Sequence, residues 1–294
     1  MKVLNLGSLN LDYVYQVDHI VQPGETISSN EMKVFAGGKG LNQSVALAKA
    51  GVPVYHGGMI GTDGKLFLNV CRKYGIDTRH IIKLEEKSGH AIIQVDKNGQ
   101  NSILLFGGTN QRFTKYYVDK ILKDFIEGDL LLLQNEVNLL PYIIDQAYEK
   151  GMIIALNPSP FNEVIESCDL SKVSIFLLNE IEGEQLTKET EPEKILAALK
   201  QKFPTAKILL TLGKAGVLYG EGNVTHFQEV FPVKAVDTTA AGDTFTGYFI
   251  EGFIAKKSIP DALRMGAKAA AITVTRNGAA QSIPTKDEVI NSDL

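Results

Sequence analysis

The sequence predicts an α/β protein, with a mainly parallel central sheet between two helical layers and a small β-sheet inserted near the N-terminus. Three observations carry this prediction. Short apolar bursts alternate with amphipathic stretches along the 294-residue chain, which is the pattern of a layered parallel sheet. Two early regions alternate apolar and polar residues in pairs, as half-exposed strands do. The composition, 44% hydrophobic and 22% charged, is that of a globular chain able to bury one large core or two modest ones.

Taken in order, Val3–Leu6 is the first buried strand. Residues 13–18 and 31–35 read as exposed strands. Three glycines then lead into an amphipathic helix over 41–50 that stops at Gly51. Residues 90–96 and 101–106 form a second exposed pair, joined by Lys97-Asn98-Gly99-Gln100, where Asn-Gly is a strong hairpin signal. These four strands either extend the edge of the main sheet or form a separate sheet covering a ligand, a second subunit, or both. Residues 129–134, 152–156, 174–178 and 208–212 are the further buried strands, with amphipathic helices at 139–150 and 192–203 between them. The last helices fall at 242–255 and 260–274, Pro260 suiting a first helical turn, and a short polar tail closes the chain.

Bulk properties remove several function classes. A net charge of −4 without any Lys/Arg run argues against nucleic-acid binding. No apolar run approaches the roughly 18 residues of a membrane span, and the N-terminus is too short and polar for a signal peptide. A cytoplasmic protein is therefore expected. Cys71 and Cys168 are far apart with no Cys-x-x-Cys pair, so they read as reduced thiols rather than zinc ligands. The five histidines are scattered in unrelated contexts and read as surface or satisfied core residues.

The chemistry concentrates in Val236-Asp237-Thr238-Thr239-Ala240-Ala241-Gly242-Asp243-Thr244-Phe245. Small residues at a helix start leave backbone N–H groups open to an anion, and Asp243 beside them can accept a proton from an attacking hydroxyl. Alone, Asp243 could instead be a carboxylate that only stabilises the helix start. A second constellation is Phe35-Ala36-Gly37-Gly38-Lys39-Gly40-Leu41-Asn42-Gln43. It either admits a polyol to the backbone, with Lys39 and Asn42 bonding hydroxyls, or merely packs a helix on the sheet. Asn10 and Asp12 follow the first strand, where they are either ligand contacts or turn residues. Neither a Walker A loop nor a G-x-G-x-x-G fingerprint occurs; Gly61-Thr62-Asp63-Gly64-Lys65-Leu66 has the wrong spacing.

Three motifs in order, Gly7-Ser8-Leu9-Asn10-Leu11-Asp12, Gly37-Gly38-Lys39-Gly40-Leu41-Asn42 and Asp237 through Phe245, resemble the ribokinase-like family of carbohydrate kinases. Leu156-Asn157-Pro158-Ser159-Pro160 and Val274-Thr275-Arg276-Asn277-Gly278-Ala279 agree with it, and the five motifs bracket almost the whole chain. The resemblance implies a three-layer ribokinase-like core over 1–11, 37–89 and 107–294, with a small β lid over 12–36 and 90–106. It implies ATP-dependent phosphorylation of a sugar's primary hydroxyl, D-ribose being the nearest acceptor within the family, and a homodimer paired through the lids. Asp243 would be the base, and Ala240, Ala241 and Gly242 the anion hole. Asn10, Asp12, Gly38, Lys39, Asn42, Glu136 and Asp243 would hold the sugar. Asn179, Thr211, Gly213 and Gly242 would meet the nucleotide. Glu182 would organise Mg2+ through water, although Asn179-x-x-Glu182 is also the pattern of a helix cap. Asp237, Thr239, Thr273, Arg276, Gly278 and Ser282 would surround a K+ ion, many through backbone carbonyls. Two positions depart from the family pattern: Ala267, where many relatives carry a polar residue toward adenine, and Asn135, where a hydrophobic residue is common. Rival readings are a kinase of the same fold acting on fructose, a deoxysugar or a nucleoside, and a sugar sensor without catalysis.

Overall fold

A computed structural model describes residues 1–294. In chain order, the first half contains β1 (Val3–Leu6), β2 (Asn10–Gln16), β3 (Glu31–Gly37), α1 (Lys39–Lys49), β4 (Val54–Ile60), α2 (Lys65–Tyr74), β5 (Asp77–Lys83), β6 (Gly89–Val95), β7 (Asn101–Phe106), α3 (Lys115–Leu122), β8 (Leu130–Gln134) and α4 (Leu140–Glu149). The second half continues with β9 (Ile153–Asn157), α5 (Glu163–Glu166), β10 (Ile175–Asn179), α6 (Glu180–Thr187), α7 (Pro192–Lys202), β11 (Lys207–Thr211), β12 (Gly216–Glu221), β13 (Val224–Glu229), α8 (Ala241–Ile254), α9 (Ile259–Val274) and α10 (Lys286–Asn291).

Nine strands form the central sheet in the order β13-β12-β11-β10-β9-β8-β1-β4-β5. It is parallel from β11 to β5, and β12 and β13 close one edge antiparallel. The apolar bursts are continuous because both faces are covered, and successive side chains serve opposite cores. Val3, Leu130, Leu132, Ile175 and Leu177 join one core, with residues of α1, α2, α8 and α9. Leu4, Leu131, Leu133, Phe176 and Leu178 join the other, with residues of α3, α4 and α7. The two cores contain 34 and 33 buried residues, so neither helical layer dominates.

The other four exposed strands make a separate sheet, in the order β3-β2-β6-β7, which excludes the edge-extension alternative. Here β2 and β6 run parallel, and both flanking pairs are antiparallel. The β6–β7 turn closes with Gly99 at φ 79°, and Asp96 Oδ1 accepts from the N–H groups of Asn98 and Gln100. No helix is long and apolar enough to cross a membrane. Both cysteines are unpaired thiols.

The polar tail expected after residue 274 is instead an ordered segment. Ile283 and Val289 are fully buried, and α10 starts with a capping box between Thr285 and Glu288. Those two apolar residues dock the segment on α8 and α9 despite its polar average.

Candidate active site

Parallel strands end on one side of the sheet, and the residues following them build the site. α8 starts there after Ala240, whose backbone is left-handed at φ 62°, and no side chain caps the helix. Such a conformation is strained for a residue with a Cβ. The N–H groups of Gly242 and Asp243 have no partner in the protein, and the space beside the Gly242 Cα is open. Unpaired donors at the positive end of a 14-residue helix make an anion site. Asp243 is buried at its rim, where Oδ1 accepts from Gln43 Nε2 at 2.9 Å and Oδ2 from Asn42 Nδ2 at 3.3 Å.

Both of those amides belong to the first turns of α1, which lies hard against the end of β1. A Cβ on Gly40 would stand 2.4 Å from the Ser8 backbone nitrogen, so only glycine permits this approach. Glu136, just past β8, is fixed by the same contact: its Oε2 accepts from Lys39 N at 3.0 Å and from the Ser8 hydroxyl. Burial pushes the Glu136 carboxyl up, against the lowering effect of its Ser8 and Lys39 partners. Asp12, on β2, receives no hydrogen bond from the protein, and burial followed by the Glu136 charge raises it to about 7. Asn10 Oδ1 accepts from Asn110 Nδ2 at 2.7 Å. Asn42 Oδ1 is buried with no partner. A cavity of about 230 Å³ opens here, lined by Asn10, Asn110, Gln111, Asn135, Glu136 and Asn162, with Leu105 of β7 as one wall. Unspent acceptors on Asp12 and Asn42 suit a ligand rich in hydroxyl donors.

A larger cleft, about 430 Å³, has Asp243 in its wall. Lys39, Asn157, Asn179, Glu182, Thr211, Gly213 and residues 240–243 line it, and Ala267 does not. Asn179 and Glu182 form a full capping box: Oδ1 accepts from Glu182 N at 2.9 Å, and Glu182 accepts from Asn179 N and Nδ2. The capping alternative therefore holds, and Glu182 still faces the cleft with lone pairs to spare. No three His, Cys, Asp or Glu side chains cluster as direct metal ligands.

Asp237 clamps two loops, its Oδ1 accepting from Thr239 N at 2.9 Å and its Oδ2 from Gly278 N at 2.8 Å. Burial raises this carboxyl, but those hydrogen bonds outweigh it and hold it below the usual range. The carbonyls of Asp237, Thr239, Arg276 and Gly278 have no donor in the protein, an oxygen set suited to a hard cation. The side chains of the other candidates are committed elsewhere. The Thr273 hydroxyl meets Thr244 Oγ1, Ser282 Oγ donates to Ala279 O, and Arg276 pairs with Glu288.

The sequence-selected residues thus converge on one side of the sheet around Asp243. The structure adds Gln43, Asn110, Ser8 and Gln134. Gln43 and Ser8 carry a local signal, each lying within a motif that bears a candidate site residue, and Asn110 and Gln134 carry none.

A family model described as pfkB family carbohydrate kinase matches residues 1–286. A ribokinase from Haemophilus influenzae is 37% identical, with 97% of this chain and 96% of that protein aligned. Among solved structures, the ribokinase from Thermotoga maritima superposes with a TM-score of 0.87 at 35% identity, covering 99% of this chain and 98% of that one. The ribokinase from Arabidopsis thaliana, solved with ribose and ATP, gives 0.86 at 29% identity over 98% and 97% of the two chains.

Proposed function

The chain belongs to the pfkB family of carbohydrate kinases, and on that premise we propose that it phosphorylates D-ribose with ATP, giving D-ribose 5-phosphate and ADP. The observation that supports this best is Asp243 itself, a carboxylate held by the Asn42 and Gln43 amides in the larger cleft, beside the free N–H groups of α8. The sugar is held by Asp12, Asn10, Asn42, Gly38, Lys39 and the Glu136 Oε1 that no protein donor occupies. Its terminal hydroxyl then faces Asp243. ATP lies in the larger cleft against Asn179, Thr211 and Gly213, with its γ-phosphoryl on the free N–H groups of Gly242 and Asp243, the Ala241 N–H being donated to the Thr238 carbonyl.

The sugar oxygen bonds to the γ-phosphorus as the bond to the β–γ bridging oxygen breaks, and the hydroxyl proton passes to the Asp243 carboxylate. The transition state is loose, so alignment and charge neutralisation supply most of the rate. Backbone dipoles already fixed at the start of α8 provide that neutralisation without reorganising. Mg2+, held through water by Glu182, would screen the charge on the ATP phosphates. K+, held by the carbonyls of Asp237, Thr239, Arg276 and Gly278 with Thr273 and Ser282 nearby, would add fixed positive charge beside the anion hole. Replacing potassium by tetramethylammonium, too large for the loop, is expected to lower kcat by roughly tenfold. Equal rates in the two salts would count against the cation site.

Residues 12–36 and 90–106 act in this reading as a lid that excludes water. Asn10 of β2 and Leu105 of β7 reach the cavity from that sheet. The lid also supports a homodimer. Its edge strand β7 is exposed throughout, with Ile103, Leu104, Leu105 and Phe106 between 46% and 68% exposed, and an open apolar edge associates. Light scattering at micromolar concentration is expected to give a dimer, and Leu104→Lys a monomer. A monomeric parent protein removes the dimer and leaves the chemistry standing. A cytoplasmic location fits a reaction that consumes ATP.

ATP turnover across D-ribose, 2-deoxyribose, D-fructose and nucleosides tests the whole reading. The highest kcat/KM is expected on D-ribose. A tenfold preference for another acceptor would reassign the substrate, and no turnover on any would leave a sugar sensor.

A further inference from the structure

Four neighbouring strands of the central sheet, β9, β8, β1 and β4, each place a polar side chain on the face that packs against α1 and α8. These are Asn157, Gln134, Asn5 and His56; Asn5 lies opposite His56, while Gln134 lies opposite Asn157. Asn5, Gln134 and His56 are fully buried. Polar groups inside an apolar layer are costly unless they bond to one another, and here they do at every atom but Gln134 Oε1 and His56 Nε2, which are buried without a partner.

The direction of every amide follows from groups that can only accept. Asn5 Nδ2 donates to the Gly40 carbonyl at 2.7 Å and to Ser44 Oγ at 2.8 Å, which leaves its Oδ1 as an acceptor. Gln134 must therefore turn Nε2 toward it, at 3.0 Å, and the same nitrogen donates to Gln43 Oε1 at 2.6 Å. Gln43 is then obliged to present Nε2 to Asp243 Oδ1 at 2.9 Å. A second fixed end agrees. Asn157 Nδ2 donates to the Leu177 carbonyl at 2.7 Å, so its Oδ1 is the acceptor for Gln43 Nε2 at 3.4 Å. Ser44, which accepts from Asn5, has its proton free for His56 Nδ1 at 2.7 Å; burial lowers that imidazole to about 4 and keeps it a neutral acceptor. Even Gly7 is adapted to the array, since a Cβ there would stand 2.3 Å from Gln134 Oε1.

We propose that Gln43, Gln134 and Asn5 are a positioning relay for the phosphoryl-transfer step, fixing the rotamer of Asp243 and offering it only a donor. The relay rests on the reading of Asp243 as the base. Gln134 and Asn5 touch neither Asp243 nor the cavities that would take substrate, so their effect must travel through Gln43. Without Gln134, Gln43 Oε1 loses its 2.6 Å donor and only the long 3.4 Å contact to Asn157 still steadies the amide, so the carboxylate it holds can drift off line. Misalignment of this kind slows the chemical step and leaves substrate binding alone.

The test uses the full chain with Gln134→Met and Gln43→Met, each also combined with Asp243→Asn. Each single substitution is expected to lower kcat by about tenfold or more, with KM for ribose and ATP within about threefold. In the Asp243→Asn background the same substitutions are expected to cost nothing further, because the group they position is gone. Wild-type kcat in Gln134→Met, or the same loss in both backgrounds, overturns the relay. Near-normal turnover in Asp243→Asn alone overturns the base reading instead, which separates the two failures. Should Gln134→Met not fold, the side-chain amide of Gln43 in the ¹⁵N-labelled parent protein decides the matter. Its protons are expected to resist solvent exchange and to shift with Asp243→Asn, and rapid exchange rejects the relay.

Discussion

Asp243→Asn is expected to lower kcat by about a thousandfold, with ribose affinity within about threefold of the parent. The substitution removes the proton acceptor and almost nothing else. Gln43 Nε2 can still donate to the new side-chain oxygen, and the new amide nitrogen faces Asn42. Asn42 can turn its amide to receive it, because its Oδ1 has no partner to lose. The anion hole is backbone and remains, so the residual rate measures alignment and charge neutralisation without a base. Single-turnover phosphoryl transfer with saturating ATP, together with calorimetric titration of ribose, checks both halves. A rate within tenfold of the parent would show that the hydroxyl proton leaves to solvent and that Asp243 only stabilises the start of α8.

This consequence could be anticipated from the sequence because Asp243 sits among residues with strong local signatures. An Ala-Ala-Gly run before a helix announces open N–H groups, and Gly37-Gly38-Lys39-Gly40 announces a close approach of chains. The buried strands were equally legible where they were continuous apolar runs, as in β8 and β10. Legibility failed where function or edge position broke the pattern. β4 reads Val-Tyr-His-Gly-Gly-Met-Ile, and its His56 and paired glycines hide an interior strand, one in from the edge strand β5. The polar row has the same cause: Asn5 and Gln134 look like surface residues until the sheet order brings them together across 129 positions of chain. By contrast, α10 was readable. Thr285-x-x-Glu288 before Val289 is a capping pattern, hidden only by the polar average around it.

Asp12→Asn is expected to split stability from function, weakening ribose binding at least a hundredfold at pH 8 while raising the Tm of the ligand-free protein. Burial and the neighbouring Glu136 raise Asp12 to about 7, and no protein donor offsets them. The sign follows from linkage: stability is fully present below about pH 4, declines as the pH rises, and reaches its floor once Asp12 ionises above about 7. The upper bound on that loss is on the order of 4 kcal/mol, and a neutral isostere avoids it. Recovering half would raise Tm by roughly 4 °C or more at pH 8 for a chain of this size, with little change at pH 4. Ribose hydroxyls donate to the ionised form, so protons compete with the sugar. KM for ribose in the parent protein is therefore expected to rise about tenfold between pH 8 and pH 6, and Asp12→Asn to lose that dependence. Scanning calorimetry and ribose titrations at the three pH values read all of this together. A variant that binds ribose normally, or that melts lower at pH 8, would mean that Asp12 is a structural carboxylate and that Glu136 and Asn42 hold the sugar without it.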